Sequence, residues 1–323
     1  MIPFSPHICF FFAILYHTHI FKASENGGGN LVGKTKALST NMLYYSGYKY
    51  ASKMGKELGF VSAIMINALE EKARLLKAII QQRLWSSTLQ NYAYFEDEYG
   101  LLVDHTEGLG SALALLEFDN DDDDENTERN NMIFESTYTT KEYGIPCLWP
   151  QFQYSANVWE WRVARHYHNG RLWPFVQGYW AMAAAHHKRE DLFTNALRGI
   201  TALSRIGNTF AEYYNLNGTY VDGRRSQLWS AAGFISMIHH GIFGIRLDVD
   251  GIRFSHPMKS KELFSASDTI ELKELRYRGM ILNIRLHGIG KSIVSFKVNQ
   301  NERDDLLIKL SETGVIDIDI TLE

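Results

Sequence analysis

The sequence predicts a mainly α-helical protein that ends in a small β-domain. Three observations carry this: apolar residues recur at helical spacing between residues 38 and 245, Gly and Pro punctuate those runs, and beyond Gly244 apolar residues alternate. At 323 residues with 45% apolar content, the chain is long and apolar enough for a large globular core. A net charge of −4 and a pI near 6.3 give no basic footprint for nucleic acid and no polybasic membrane patch. Aromatic residues make up 13%, more than a core requires, which mildly favours a ligand that stacks on rings. Two cysteines, Cys9 and Cys147, exclude a disulfide framework and a Cys-based zinc site.

The chain opens with an apolar run, Ile8 to Tyr16, too short to span a bilayer. As a signal-peptide core it would place the protein in the periplasm or outside the cell. Against this, no Lys or Arg precedes it, and Ala23-Ser24 is a poor cleavage site. A buried strand, or sequence upstream of the true reading start, are the alternatives. Residues 24–36 read as a Gly-rich loop that contains Gly28, Gly33, Lys34 and Thr35 at phosphate-loop spacing. Such a loop needs a parallel α/β sheet around it, and the helical pattern that follows argues for a linker instead.

A helix begins at Ser39 or Thr40 as cap and stops at Gly59, and a second from Val61 to Leu84 completes an antiparallel hairpin. A short strand at Leu101 to Val103 precedes a third helix, Gly108 to Phe118, which Asp104 to Glu107 would cap, or where they would supply a site acid. Residues 119–131 are a charge run, read as a solvated loop because the spacing and Gly of a calcium loop are missing. An aromatic loop bounded by Pro146 and Pro150 follows, then helices at Phe175–His187, Asp191–Ile206 and Ser226–Phe243. Alternation over Ile252–Phe254, Ile270–His287, Ser292–Val298 and Val315–Leu322 gives the strands of a β-sandwich. The expected division is an irregular 1–36, a helical 37–245 and a β-domain 246–323.

The chemistry concentrates between Tyr167 and Ile245. Tyr167-His168-Asn169-Gly170 with Trp173, Glu212-Tyr213-Tyr214-Asn215, and Gln227-Leu228-Trp229-Ser230 place a carboxylate among rings and amides. Rings cover the C–H face of a sugar, amides bond its hydroxyls, and a carboxylate activates water. Alone, Glu212 would more often be a helix-end carboxylate paired with Arg224 or Arg225, and His168 and Asn169 could simply cap the helix after Trp173. His186-His187 and His239-His240 fit helix C-termini, where imidazolium suits the dipole. No set of His, Asp and Glu has metal spacing, and no cofactor is implied.

With those segments in that order, the chain resembles the six-hairpin (α/α)6-barrel glycoside hydrolases, and is similar to the processing α-glucosidase and trehalase group. The resemblance covers about residues 37 to 260. It implies an (α/α)6 toroid followed by the β-domain, inverting hydrolysis of an α-linked glycoside, Glu212 as general base, and an oligosaccharide or glycoside as substrate. Trp149, His168, Asn169, Trp173, Gln227 and Trp229 would bind the sugar. The family's general acid, an Asp in an aromatic and Gly-rich segment, has no match in His19 to Thr35, where Glu25 is the acidic residue. Residues 38–245 have length for about three or four hairpins rather than six. The expectation is thus an incomplete toroid from an N-terminally truncated reading frame. An inactive sugar-binding protein and a nucleotide-binding protein using Gly28 to Thr35 are the competing classes.

Overall fold

The computed structural model describes residues 36–59, 61–97, 99–118, 124–152, 168–219 and 225–323. The apolar run at Ile8 to Tyr16, Cys9, Glu25, the Gly28 to Thr35 loop, Tyr167 and Arg224 lie outside these residues.

The helices are α1 Leu38–Leu58, α2 Ala63–Arg83, α3 Gly108–Glu117, α4 Asp124–Ser136, α5 Pro174–His186, α6 Glu190–Arg205 and α7 Leu228–Ser236, which runs on as a π-helical segment Met237–Ile242. Short strands punctuate the helical part: β1 Lys36–Ala37, β2 Trp85–Ser86, β3 Asn91–Tyr92, β4 Phe95–Glu96, β5 Leu102–Val103, β6 Thr106–Glu107 and β7 Leu148–Trp149. Among the described residues no helix is long and apolar enough to cross a membrane.

Helix α5 is the central member. Its sequence, PFVQGYWAMAAAH, is apolar on every side, and it packs against α3, α6 and α7. A helix buried all round must have neighbours all round. At the α5–α7 contact the backbones meet: a Cβ on Gly178 would lie 2.6 Å from the Gly233 Cα, so both positions need glycine. Helices α1 and α2 form the expected hairpin, turned by Gly59 at φ 68° and restarted by Ser62, whose hydroxyl accepts from the Met65 N–H at 3.3 Å.

The helical part differs from the sequence expectation in two places. Ser39 and Thr40 do not open α1; Ala37 does, and the buried amide of Ser39, in the first turn, donates to Glu107 Oε2 at 2.9 Å while its hydroxyl donates to Oε1 at 2.6 Å. Glu107 therefore caps α1, 68 residues away, by hydrogen bonds from its carboxylate rather than capping α3. A carboxylate at a helix N-terminus gains from both the unpaired N–H groups and the dipole. The second correction concerns the charge run. Helix α4 takes in Asp124 to Asn131, which the sequence suggested was loop. Its C-terminal turns are anchored in the core by Ile133 and Phe134, the latter against Trp180 at 5.3 Å, and Arg129 lies 5.1 Å over the Trp85 ring. Burial of these side chains outweighs the repulsion that periodicity alone registers.

From Ile245 the chain is strand-rich: β8 Ile245–Leu247, β9 Gly251–Phe254, β10 Ile270–Tyr277, β11 Met280–Gly288, β12 Ile293–Val298, β13 Asn301–Glu302, β14 Leu307–Lys309 and β15 Gly314–Leu322. Two sheets result, ordered β10-β11-β15-β12-β13 and β14-β9-β8, and they touch through Phe254 and Phe296 at 5.3 Å. The period-two pattern sends Leu282, Ile284, Leu286, Ile316, Ile318 and Ile320 inward, into a core continuous with that of the helices.

On the opposite face of the parallel β11–β15 pair, Arg285 faces Asp319 and donates to it at 2.7 and 3.0 Å. The Arg285 hydrogen bonds, with help from His287, hold the Asp319 carboxyl at about 2, below its ordinary 3.8, against the opposing effect of burial. Because the folded-state value is depressed, the stabilisation is complete above 3.8 and is lost as pH falls towards 2. Thermal melts of wild type and Asp319→Asn should therefore differ near neutral pH and converge across that window; a constant gap would show that the pair contributes nothing through ionisation.

Candidate active site

Glu212 lies in a segment fixed on both sides by backbone pairing. Two residues ahead, Phe210 C=O accepts from the Gln227 N–H at 2.8 Å; two residues after, Tyr214 exchanges both backbone hydrogen bonds with Leu172 at 2.9 and 3.0 Å. The Tyr214 hydroxyl closes the turn by accepting from the Ala211 N–H at 3.0 Å. This brings together the three sequence segments that carried the candidate residues. Glu212 itself is buried, at 8% exposure.

A wall of rings stands beside this segment. Trp173 stacks on Tyr213 at 5.3 Å and meets Trp229 edge-on at 5.8 Å, and Trp229 stacks on Phe175 at 5.3 Å. His168 tilts against Trp173 at 4.7 Å. The tryptophans differ in exposure: Trp173 is 1% exposed and belongs to the core, whereas Trp229 is half-buried, with its Nε1–H buried and without a hydrogen-bond partner among the described residues. An unpaired buried donor costs free energy unless something accepts from it. Gln227 is half-exposed and opens α7 as its N-cap residue, so its side chain is set at the start of the helix that bears Trp229.

Asn169, expected to bind the sugar, lies against Phe152. It is 1% exposed, and its amide accepts from the Phe152 N–H at 2.7 Å and donates to the Phe152 C=O at 3.1 Å. Nor do His168 and Asn169 cap α5, which starts at Pro174 with no side-chain cap. Trp149 is half-buried, stacks on Tyr138 at 4.1 Å, and its carbonyl accepts from Thr106 at 2.9 Å. Its strand β7 connects to Asn169 through a parallel bridge from Leu148. Nearby, His105 stacks on Phe152 at 3.7 Å, and burial lowers its basicity. Burial likewise lowers that of Arg171, against the effect of Tyr213.

Two positioning residues escaped the sequence reading. Gln177, fully buried in α5, accepts from the Ile145 N–H at 3.0 Å and donates to the Ile145 carbonyl, which fixes the loop leading to Trp149. A lone amide in an apolar helix was the available signal. Tyr143 packs so closely on Gly218, in the turn after Glu212, that a Cβ there would lie 2.5 Å from the ring. Among the described residues no group of three or more His, Cys, Asp or Glu could hold a metal.

The family model for the mannosylglycerate hydrolase MGH1-like glycoside hydrolase domain matches residues 18–230. The chain belongs to this family. No curated protein matches significantly. A solved structure described as a sialidase superposes with a TM-score of 0.66 at 18% identity, over 88% of this chain and 27% of that one. The GH78 family rhamnosidase of Bacillus sp. GL1 gives 0.50 at 14% identity, over 94% and 31%. The GH63 mannosylglycerate hydrolase from Thermus thermophilus, in complex with Tris, gives 0.46 at 16%, over 63% and 45%. At these identities the likeness to the sialidase and the rhamnosidase is one of fold alone. The chain thus spans less than half the length of each of these structures. The family is that of a glycoside hydrolase domain.

Proposed function

We propose that the protein hydrolyses an α-linked glycoside with inversion, Glu212 taking the proton from the attacking water. The observation that carries this is the placement of Glu212, a buried carboxylate pinned between Leu172 and Gln227 beside Trp173, Tyr213 and Trp229. A carboxylate held on a rigid turn can keep the geometry a general base needs, and half-buried Trp229 offers ring area to a sugar. In this reading the helices belong to a six-hairpin toroid of the α-glucosidase and trehalase type, residues 37–245 form the catalytic-type domain, and residues 246–323 pack against it as a β-sandwich. Trp149, His168 and Gln227 line the entrance to the sugar site. Trp173 and Asn169 support it from beneath.

An inverting base requires space for water, so its separation from the acid would fall in the range of about 6.5–9.5 Å. A glycosyl fluoride tests the base separately from the acid, since fluoride leaves without being protonated. With α-mannosyl and α-glucosyl fluorides, proton NMR of the first-formed sugar should show the β-anomer. An α-product would sink the inverting assignment, and tight sugar binding with no fluoride release would make this a binding protein.

A further inference from the structure

Glu212 sits in a short span, Ala211 to Tyr213, whose flanking residues are tied down by backbone hydrogen bonds. Phe210 is joined to Gln227 at 2.8 Å, and Tyr214 to Leu172 at 2.9 and 3.0 Å. A side chain from one of those ends reaches back into the span. The Tyr214 hydroxyl accepts from the Ala211 N–H at 3.0 Å and donates to the Thr209 carbonyl at 3.5 Å, so one phenol oxygen bridges residues 209 and 211. The amide it holds belongs to the residue next to Glu212.

The ring that carries this hydroxyl is itself fixed. Tyr214 is buried in a small cluster with Leu172, Leu203 and Ala211, separate from the main core. Its backbone is anchored to Leu172, the residue before Trp173, so the phenol ties the Ala211 amide to the frame that bears the ring wall. Downstream the chain closes independently: the Asn215 N–H donates to the Thr219 carbonyl at 3.0 Å, and the Gly218 N–H to the Asn215 carbonyl at 2.9 Å. Ala211 is buried too, and a buried N–H that loses its acceptor is costly until it finds another. Without the phenol oxygen the chain at Ala211 must move to find one, and the movement passes to Glu212 one peptide along. A general base tolerates little of this, since a misplacement of about 1 Å can cost about a hundredfold in rate.

We propose that Tyr214 is a positioning residue for Glu212, its hydroxyl setting where the carboxylate stands relative to the attacking water. The role rests on the reading of Glu212 as a base. The two adjacent tyrosines then act in different ways: Tyr213 stacks on Trp173 as part of the ring wall, whereas Tyr214 works from beneath, through the backbone.

Tyr214→Phe removes one oxygen and keeps the ring in its cluster, so the variant should fold. Amide exchange at Ala211, followed by NMR, should quicken by about tenfold, while exchange at Tyr214, whose amide is bonded to Leu172, should hold within about twofold. With α-mannosyl or α-glucosyl fluoride, kcat should fall by about 10- to 100-fold and KM should change by less than about threefold. The deciding measurement combines this variant with Glu212→Gln. If Tyr214 acts through Glu212, adding Tyr214→Phe to Glu212→Gln lowers turnover no further; a residue that merely supports the fold lowers it by the same factor in both backgrounds. Equal losses in both backgrounds, an unchanged kcat in Tyr214→Phe, or unchanged exchange at Ala211 would overturn the proposal and leave Glu212 as the base. Near-normal turnover in Glu212→Gln, or no fluoride release by the wild type, would remove the base and this role together.

Discussion

Replacing Glu212 by Gln is expected to lower turnover of an α-glycosyl fluoride by about 10²–10⁴, the usual worth of a general base, and to leave sugar binding in place. Gln keeps the length and hydrogen bonding of the side chain but cannot take the proton of water. Its backbone stays pinned to Leu172 and Gln227 through Tyr214 and Phe210, so loss of rate would report chemistry and not a displaced turn. Azide supplied to the variant should restore turnover and give a β-glycosyl azide, because an anionic nucleophile needs no base. Trp229→Ala, measured beside it, should weaken binding more than it slows the chemical step, as a stacked ring holds ground and transition states alike. Near-normal turnover in Glu212→Gln would reduce Glu212 to a structural carboxylate.

Trp173→Ala should have the largest effect on stability. The indole is 1% exposed and packed between Tyr213, Phe175, Trp229 and His168. Its removal leaves a cavity at the junction of three segments, which typically costs about 3–5 kcal/mol. The melting temperature should fall by on the order of 10 °C. Because Tyr213 and Trp229 lose their common support, substrate affinity should drop as well. Trp173→Phe, which retains a ring, should recover most of both. A loss below about 1 kcal/mol in the Ala variant would mean that the neighbours collapse into the space or that the ring is not buried.

Much of the fold was legible because it is written in local periodicity. The alternation in β11 and β15, the unbroken apolar run of α5 and the glycine stop of α1 each depend on neighbours within a few residues. What remained hidden depends on partners far along the chain. Glu107 read as a cap for the helix that follows it, yet it serves Ser39, and only the packed structure brings the two together. Helix α4 looked like solvated loop because its charge run dominates the composition, while its anchors, Ile133 and Phe134, come after that run. The candidate site followed the same division. The order of its segments was evident, but that Trp173 is fully buried and Trp229 only half-buried is decided by packing, which no spacing records.

The order of strands in the larger sheet bears on how the protein is made. Strand β15 lies between β11 and β12, pairing in parallel with one and antiparallel with the other, so it is the piece that joins the β10–β11 hairpin to the β12–β13 hairpin. On the ribosome both hairpins emerge before residues 314–322 do. Until then each presents an unpaired edge, with Leu282, Ile284 and Phe296 lacking their eventual neighbours Ile316, Ile318 and Ile320. The five-stranded sheet is therefore completed only after both hairpins have been made, and the interval before β15 emerges is when their open edges most need shielding from neighbouring chains.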